Sequence, residues 1–228
     1  MKYLKKFENE EEKTAWRMSE DHVRPNVVLT GETVEYDIKR LIEGFSIQHV
    51  DGNLYSKEQW VERGFSNDEA NGIAYYVSGH GFVVAKEDIG TNTAYTWGGK
   101  GIDIEGIGSG INDWDGEGNT KKIVSQLSKS LTGDNYAAAL ASKYTFPNGA
   151  KGYLPSMQEL YRAQGAQELL SLVGGTPFSG GGTSTKHRYW SSTEGDADTA
   201  YIISRAYSTI RETYDKSLGA KVRPFTKL

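Results

Sequence analysis

The side chains that could carry out catalysis are few in this sequence, and they do not cluster. The 228 residues include no cysteine, which excludes thiol nucleophiles, zinc–thiolate sites and disulfide bonds within the chain. The glycine-rich stretch Gly98–Gly101 lacks the spacing of a phosphate-binding P-loop. No histidine stands at the spacing of a metal site or a catalytic triad; the four are His22, His49, His80 and His187. We therefore expect a protein that is not an enzyme.

Two of these histidines lie in segments that can be interpreted. His80 falls between two strand-like runs, so we expect it in a hairpin turn with a structural role. His187 stands beside a long polar segment, where it is either a ligand contact or simply exposed.

One acidic stretch is a candidate for binding calcium. Carboxylates alternate near a glycine in Asn112–Gly118, but the spacing is not that of a twelve-residue EF-hand loop. We interpret the stretch as a turn of Asp and Asn residues exposed to solvent. The sequence therefore predicts no cofactor, and a structural calcium ion is an alternative without support from the spacing.

Charge and hydropathy exclude several classes of partner. The formal net charge is −4 and the basic residues are scattered, which argues against a nucleic-acid-binding face. The lysines near Met1 are followed by Glu8 and Glu10–Glu12 rather than by an apolar run, so we expect no signal peptide. No run approaches the roughly 18 apolar residues of a membrane span, so we expect no membrane insertion.

The first 42 residues are predicted to form a small module. Asn9 and Glu12 have the spacing of a helix start, which favours a short helix through Trp16. Two β-rich runs flank Gly31-Glu32, which predicts a hairpin with a type II′ turn. An extension packed on the main domain is the alternative. The module is a candidate for tail attachment or oligomerisation.

Residues 43–228 are predicted to form one α+β domain with short antiparallel strands, two to three further helices and long Gly-rich loops. Helix starts are expected at the Ser56–Gln59 and Ser156–Glu159 capping boxes, after Thr120 and near Asp134. Two apolar strands, 72–77 and 82–85, should be central in a sheet, joined by Ser78–Gly81. Three more strands are expected at about 200–205, 207–212 and 218–225.

The C-terminal segment has uniform ends and a chemically mixed middle. Tyr189–Glu194 is rich in aromatic and hydroxyl groups, and Val222–Phe225 has the pattern of a strand end. We interpret both as scaffold, with Tyr189 and Trp190 in the core. Alternation along the strands between them leaves one face for the core and the other free.

Several segments resemble a known family. The stretches "GIAYYVSGHGFVVA", "YLPSMQEL" and "YWSSTE…VRPF" are similar to the DUF1566 family of ligand-binding, C-type-lectin-like domains. Six motifs follow in the family's order over about residues 45–228. The family's tryptophan before Tyr-Leu-Pro is missing, and Lys151-Gly152 stands there instead.

The resemblance implies a function in binding. Many members are variable proteins of diversity-generating retroelements, in which reverse transcription mutates adenine-templated codons of a C-terminal cassette, here about 187–221. The N-terminal residues also resemble segments of phage tail proteins. The resemblance thus implies a phage receptor-binding protein on the virion surface. It would be a homo-oligomer, by analogy a trimer, that recognises a host surface protein or glycan.

The resemblance also implies which residues contact the ligand. Ala197, Ala200, Ile203 and Ala206 would be fixed. The ligand-binding residues would be His187, Gly195, Asp196, Asp198, Thr199, Tyr201, Ile202, Ser204, Arg205, Tyr207, Thr209, Arg211, Thr213, Tyr214 and Asp215. Tyr and Arg suit this role because they offer large contact areas and several hydrogen bonds. A structural tail component and a lectin of fixed sugar specificity are the alternatives.

Overall fold

The computed structural model describes residues 3–4, 26–30, 33–37, 43–90, 93–107, 110–130, 133–178, 187–205 and 210–228. Over these ranges the chain combines helices with antiparallel sheets, which confirms the predicted α+β class. No helix in the described ranges is both long and apolar enough to cross a membrane.

The N-terminal strands form a sheet of their own. It contains β1 (Tyr3–Leu4), β2 (Asn26–Thr30) and β3 (Thr33–Asp37) in the order β1-β3-β2. Thr30 pairs with Thr33, so the two paired strands of the predicted hairpin are confirmed. The turn residues Gly31-Glu32 and the predicted helix 9–16 lie outside the described residues. The division at residue 42 stays a prediction.

A five-stranded antiparallel sheet forms one side of the remaining chain. Its order is β13-β7-β6-β4-β5, with β4 at Gly44–His49, β5 at Leu54–Tyr55, β6 at Ala70–Val77, β7 at His80–Val84 and β13 at Phe225–Lys227. The two apolar strands β6 and β7 are interior, as predicted. Their turn is shorter than the predicted four residues, because Ser78 (φ 52°) and Gly79 (φ 86°) close it alone. Positive φ at both positions is typical of a type I′ turn.

Five helices are described, and local capping explains where most begin. They are α1 (Lys57–Glu62), α2 (Gly116–Leu127), α3 (Ala137–Lys143), α4 (Met157–Ala163) and α5 (Gln167–Leu172), with 3-10 turns at Asn67–Glu69 and Gln164–Ala166. Ser56 and Ser156 form the predicted capping boxes before α1 and α4. α2 begins at Gly116, earlier than the start predicted after Thr120. Asp115 caps this start by accepting a hydrogen bond from the Gly118 amide (2.9 Å).

Two further small sheets complete the fold. One has the order β11-β10-β9, with β9 at Arg188–Glu194, β10 at Thr199–Ser204 and β11 at Ile210–Asp215. The other pairs β8 (Tyr95–Thr96) with β12 (Gly219–Ala220). Of the strand predicted at 207–212, residues 207–209 lie outside the described residues, and the rest belongs to β11. The predicted strand 218–225 is divided between β12 and β13, because the intervening backbone bonds β9 and the 85–89 segment instead.

The sheet β9–β10–β11 lies between two hydrophobic cores. The first core joins the five-stranded sheet to α4 and α5 and includes Tyr189 and Ile203. The second joins α2 and α3 to Trp97 and includes Trp190 and Ile202. Because neighbouring strand residues point to opposite faces, this small sheet is packed on both sides.

Candidate ligand-binding surface

The start of the C-terminal segment, Tyr189–Glu194, is buried. Tyr189 and Trp190 are fully buried, which confirms their predicted place in the core. The Trp190 indole Nε1 donates to the Tyr95 carbonyl (2.7 Å) and that of Trp97 donates to the Ser191 carbonyl (2.8 Å). Thr193 Oγ1 donates to Asp113 Oδ2 (2.6 Å). These bonds fix β9 to the loops around it, so the buried side chains of Tyr189–Glu194 are unavailable to a ligand.

The end of the segment is anchored by a buried ionic cluster. Arg223 Nε lies 2.6 Å from Asp88 Oδ1, and Lys221 Nζ lies 2.9 Å from Asp88 Oδ2. The Arg223 guanidinium also donates to the Thr176 carbonyl (2.9 Å) and lies 4.7 Å from the Phe178 ring centre. All six of the residues from Lys221 to Thr226 are buried, which agrees with the scaffold interpretation of Val222–Phe225.

A second buried ionic cluster lies inside the mixed segment itself. The Lys216 side chain is fully buried, and its ammonium group binds the Glu194 carboxylate and the carbonyls of Ile102 and Ala197 (both 2.9 Å). It also lies 4.6 Å from the centre of the Trp97 ring. Burial raises the pKa of the Glu194 carboxyl, and the contact with Lys216 opposes that rise. Sequence reasoning missed Lys216, because nothing local distinguishes it from an exposed lysine.

The strand register sorts the mixed segment into two faces. Thr199, Tyr201 and Ile203 pair with Asp215, Thr213 and Arg211 on one face, next to α4. Ala200 and Ile202 pair with Tyr214 and Glu212 on the other. The turn between β9 and β10 and the outer strand β11 are therefore the most accessible parts of this sheet.

The candidate residues differ in exposure. Gly195, Asp196, Asp198 and Thr213 are exposed. The half-buried ones are His187, Thr199, Tyr201, Arg205, Arg211, Tyr214 and Asp215. Together these exposed and half-buried residues are called the variable surface below, after the role that the resemblance implies for them. Tyr207 and Thr209 lie outside the described residues.

Two candidates do not belong to this surface. Ile202 is fully buried in the second core, and Ser204 is 5% exposed. The prediction that both face a ligand is corrected, because the sheet is covered on both faces at this end. Ala200 and Ile203 are also fully buried, in agreement with their interpretation as fixed positions.

Two aspartates of the variable surface also shape their own turns. Asp196 Oδ1 accepts from the amides of Asp198 (2.9 Å) and Thr199 (2.7 Å). Hydrogen bonds from Thr199, then from the Asp198 amide, lower the pKa of Asp196. Asp215 binds the Lys100 ammonium and accepts from the Ser217 amide (2.8 Å), and these contacts lower its pKa to about 2. Both carboxylates are therefore ionised at neutral pH.

Arg205, Arg211 and Tyr214 of this surface each contact a neighbouring side chain. The Arg211 guanidinium lies 4.4 Å from the centre of the Tyr161 ring on α4, and Arg205 donates to Gln164 Oε1 (2.9 Å). Arg188, which the sequence did not single out, lies 4.6 Å from the Tyr214 ring and donates to its hydroxyl (3.2 Å). These contacts restrict the side chains and reduce the entropy that binding would cost.

The remaining candidates for chemistry have structural partners. His80 is the first residue of β7, beyond the turn, and stacks on Trp114 with ring centres 4.3 Å apart. Asp113 of the acidic stretch accepts from Thr193 and Asn119, and Asp115 caps α2. In the described part of the chain, no three His, Asp or Glu side chains are grouped as a metal site would require.

Comparisons with known proteins show a likeness in structure rather than in sequence family. No protein-family model and no curated protein matches the chain. A solved structure described as a fimbrial protein from Bacteroides ovatus ATCC 8483 is similar, with a TM-score of 0.56 and 16% sequence identity. The likeness covers 82% of this chain and 49% of that one, so this chain spans about half the length of the fimbrial protein. At this identity, the likeness shows a shared fold.

Proposed function

We propose that this chain is a non-catalytic ligand-binding protein that presents a diversified surface on a C-type-lectin-like scaffold. One observation carries the proposal. Two buried and internally bonded segments, Tyr189–Glu194 and Val222–Phe225, flank a segment whose accessible residues share no chemical theme. A binding surface that is altered from one variant to the next needs this division between fixed anchors and free positions.

The energetics of substitution support the proposal. Changes at exposed positions usually alter the free energy of unfolding by within about 0.5 kcal/mol, whereas large-to-small changes in a core cost about 2–5 kcal/mol. Asp198 and Thr213 are exposed, whereas Trp190 and Ile203 are fully buried. The scaffold can therefore accept new side chains on the variable surface without losing its fold.

The chemistry of the variable surface suits recognition of a protein or glycan. Tyr201 and Tyr214 offer amphipathic rings, Arg205 and Arg211 offer guanidinium donors, and Asp198 offers an exposed acceptor. Each contact is small, so a homo-oligomer, by analogy a trimer, would supply the avidity for attachment. The setting that we propose is the surface of a phage tail, where the ligand is a host surface protein or glycan.

A structural component of a surface appendage is the second candidate. It is favoured by the likeness to a protein described as fimbrial, although that likeness concerns the fold alone. A phage tail component without receptor binding belongs to the same class. A lectin of fixed sugar specificity would have the same scaffold but no diversified positions.

A combined substitution tests the binding function. Asp198, Tyr201, Arg211 and Thr213 are replaced together by alanine, since all four are accessible. The control replaces Val61, Glu62 and Arg63, which are exposed on and beside α1. We expect the first variant, and not the control, to lose binding to arrays of bacterial surface glycans and to panels of intact bacteria. Unchanged binding by the first variant, with a native circular dichroism spectrum, would refute the assignment.

A further inference from the structure

A cavity of about 590 Å³ lies away from the variable surface, between α2, α3 and β13. Its walls include Thr120, Val124 and Ser125 of α2, Tyr153, and Thr226 of β13. More of the wall surface is apolar than polar, because Val124, the Tyr153 ring and the lysine stems contribute carbon atoms. A cavity of this size and character suits a small organic molecule.

The walls of this cavity are fixed by internal bonds. Thr120 Oγ1 donates to the Leu154 carbonyl (3.1 Å) or to that of Gly116 (2.7 Å), and accepts from the Leu154 amide (2.9 Å). Thr226 Oγ1 donates to the Lys151 carbonyl (2.9 Å). At Gly152, an added Cβ would come within 2.5 Å of the Ala141 carbonyl oxygen, so a side chain here would displace α3. The cavity is therefore part of the packed scaffold.

The charges around the cavity are unbalanced. Lys121, Lys151 and Lys227 line it together with one carboxylate, Glu117, which Lys121 binds at 2.6 Å. Lys151 Nζ donates to the Thr145 hydroxyl (2.8 Å), and Lys227 Nζ lies 5.6 Å from the Tyr153 ring centre. Neither Lys151 nor Lys227 forms a salt bridge with any residue that the structure describes. Both lysines are exposed where they line the cavity, and the charge of Lys227 also opposes the rise that burial causes in the pKa of the Glu159 carboxyl. Two cationic side chains thus line a mostly apolar cavity in a chain whose formal net charge is −4.

We propose that this cavity binds a small organic anion, with a carboxylate or sulfonate held by Lys151 and Lys227 and an apolar body held against Val124 and Tyr153. The apolar walls favour the body, and the two ammonium groups favour the charged end. This site is separate from the variable surface, so its ligand is the same for every diversified variant. Its test is independent of the proposed receptor binding.

The charge requirement is tested with matched probes. Saturable binding of 8-anilinonaphthalene-1-sulfonate is followed by fluorescence, and decanoate and decanol are compared as competitors. The double variant Lys151→Gln/Lys227→Gln keeps a polar side chain at both positions but removes both charges. We expect it to bind decanoate about tenfold more weakly and decanol unchanged. Lys129→Gln, an exposed lysine outside the cavity, is the control and should match the unaltered protein.

The location is tested by filling the cavity. Ser125 is exposed on α2 and lines the cavity, so Ser125→Trp should block it without disturbing the core. We expect this variant to lose displaceable probe binding while the alanine variant of the variable surface retains it. Absence of saturable binding by the unaltered protein would overturn the proposal. Equal affinity of the lysine double variant for decanoate, or full probe binding by Ser125→Trp, would do so as well.

Discussion

The ammonium group of Lys216 and the carboxylate of Glu194 form a buried ion pair that joins the end of β11 to the end of β9. Between them the chain makes the β9–β10 turn, and Lys216 also binds the Ala197 carbonyl in that turn (2.9 Å). The most exposed part of the variable surface therefore has a rigid base. This arrangement explains how a turn with exposed Gly195, Asp196 and Asp198 can keep one backbone path.

Removing the lysine of this pair should destabilise the fold strongly. Lys216→Met leaves the Glu194 carboxylate buried without its cation, and such changes cost about 3–5 kcal/mol. The double variant Lys216→Met/Glu194→Gln should recover part of this loss, because no charge remains buried. Urea unfolding measures both. The control is Lys100→Met, whose partner Asp215 lies at the surface, so its loss should destabilise the fold much less. Equal effects of Lys216→Met and Lys100→Met would contradict the role of Lys216.

Breaking the Asp88 cluster should have a comparable effect at the other anchor. Asp88 accepts from both Arg223 and Lys221, and all three side chains are almost fully buried. Asp88→Asn keeps the shape of the side chain but removes its negative charge. The buried cations Arg223 and Lys221 are then left without their counter-ion. We expect a loss of about 3–5 kcal/mol by urea unfolding. A loss below about 1 kcal/mol would show that this cluster does not hold the segment from Lys221 to Phe225.

Stability should depend on pH through Glu159. Burial raises the pKa of this carboxyl from 4.5 to about 7, although hydrogen bonds from Ser156 and Tyr153 oppose the rise. In the unfolded chain it ionises near its ordinary value, so between these two pKa values the folded state holds more protons. The stability from the protonated form is thus complete below pH 4.5 and is lost as pH rises through about 7.

Glu159→Gln tests this dependence, because glutamine also completes a capping box but does not ionise. Above about pH 7 the variant should be more stable than the unaltered protein, by up to about 3 kcal/mol. Its free energy of unfolding should also fall less steeply with rising pH. A smaller slope of the same sign should remain, since burial also raises the pKa of Glu194. Parallel stability curves for the two proteins would show that Glu159 is not the source.

Substitution costs should follow the exposure found along the mixed segment. Thr213→Ala and Asp198→Ala change exposed side chains and should alter the free energy of unfolding by within about 0.5 kcal/mol. Ile202→Ala creates a cavity in the second core and should cost about 2–5 kcal/mol. Thermal or urea unfolding of the three variants measures the difference. A cost for Ile202→Ala as small as that for Thr213→Ala would return Ile202 to the variable surface.

Local signals explain why part of the fold could be predicted from the sequence. The capping boxes at Ser56 and Ser156 depend on residues three positions apart, so each identified a helix start correctly. The start of α2 was missed because its first turn contains Gly116 and Gly118, which weaken the helical pattern. Glycine is required at position 116 by a residue far away in sequence, because an added Cβ would come within 2.2 Å of Glu159 Oε2.

Long-range contacts explain what could not be predicted of the site. Asp88 and Arg223 are 135 positions apart, and no pattern in either segment indicates their pairing. Ile202 was placed on the surface because alternation predicts one free face on a strand that carries Ile203 in the core. The sheet instead lies between two cores, so Ile202 and Ile203 are both fully buried.

The DNA next to the gene tests the central claim most directly. The account predicts a near-copy of codons 189–225 beside a reverse transcriptase gene, with differences confined to adenines. The altered codons should fall on the variable surface, whereas those of Trp190, Ile202, Ile203, Lys216 and Arg223 should be unchanged. The absence of such a copy, or frequent alteration of those buried positions, would contradict the account.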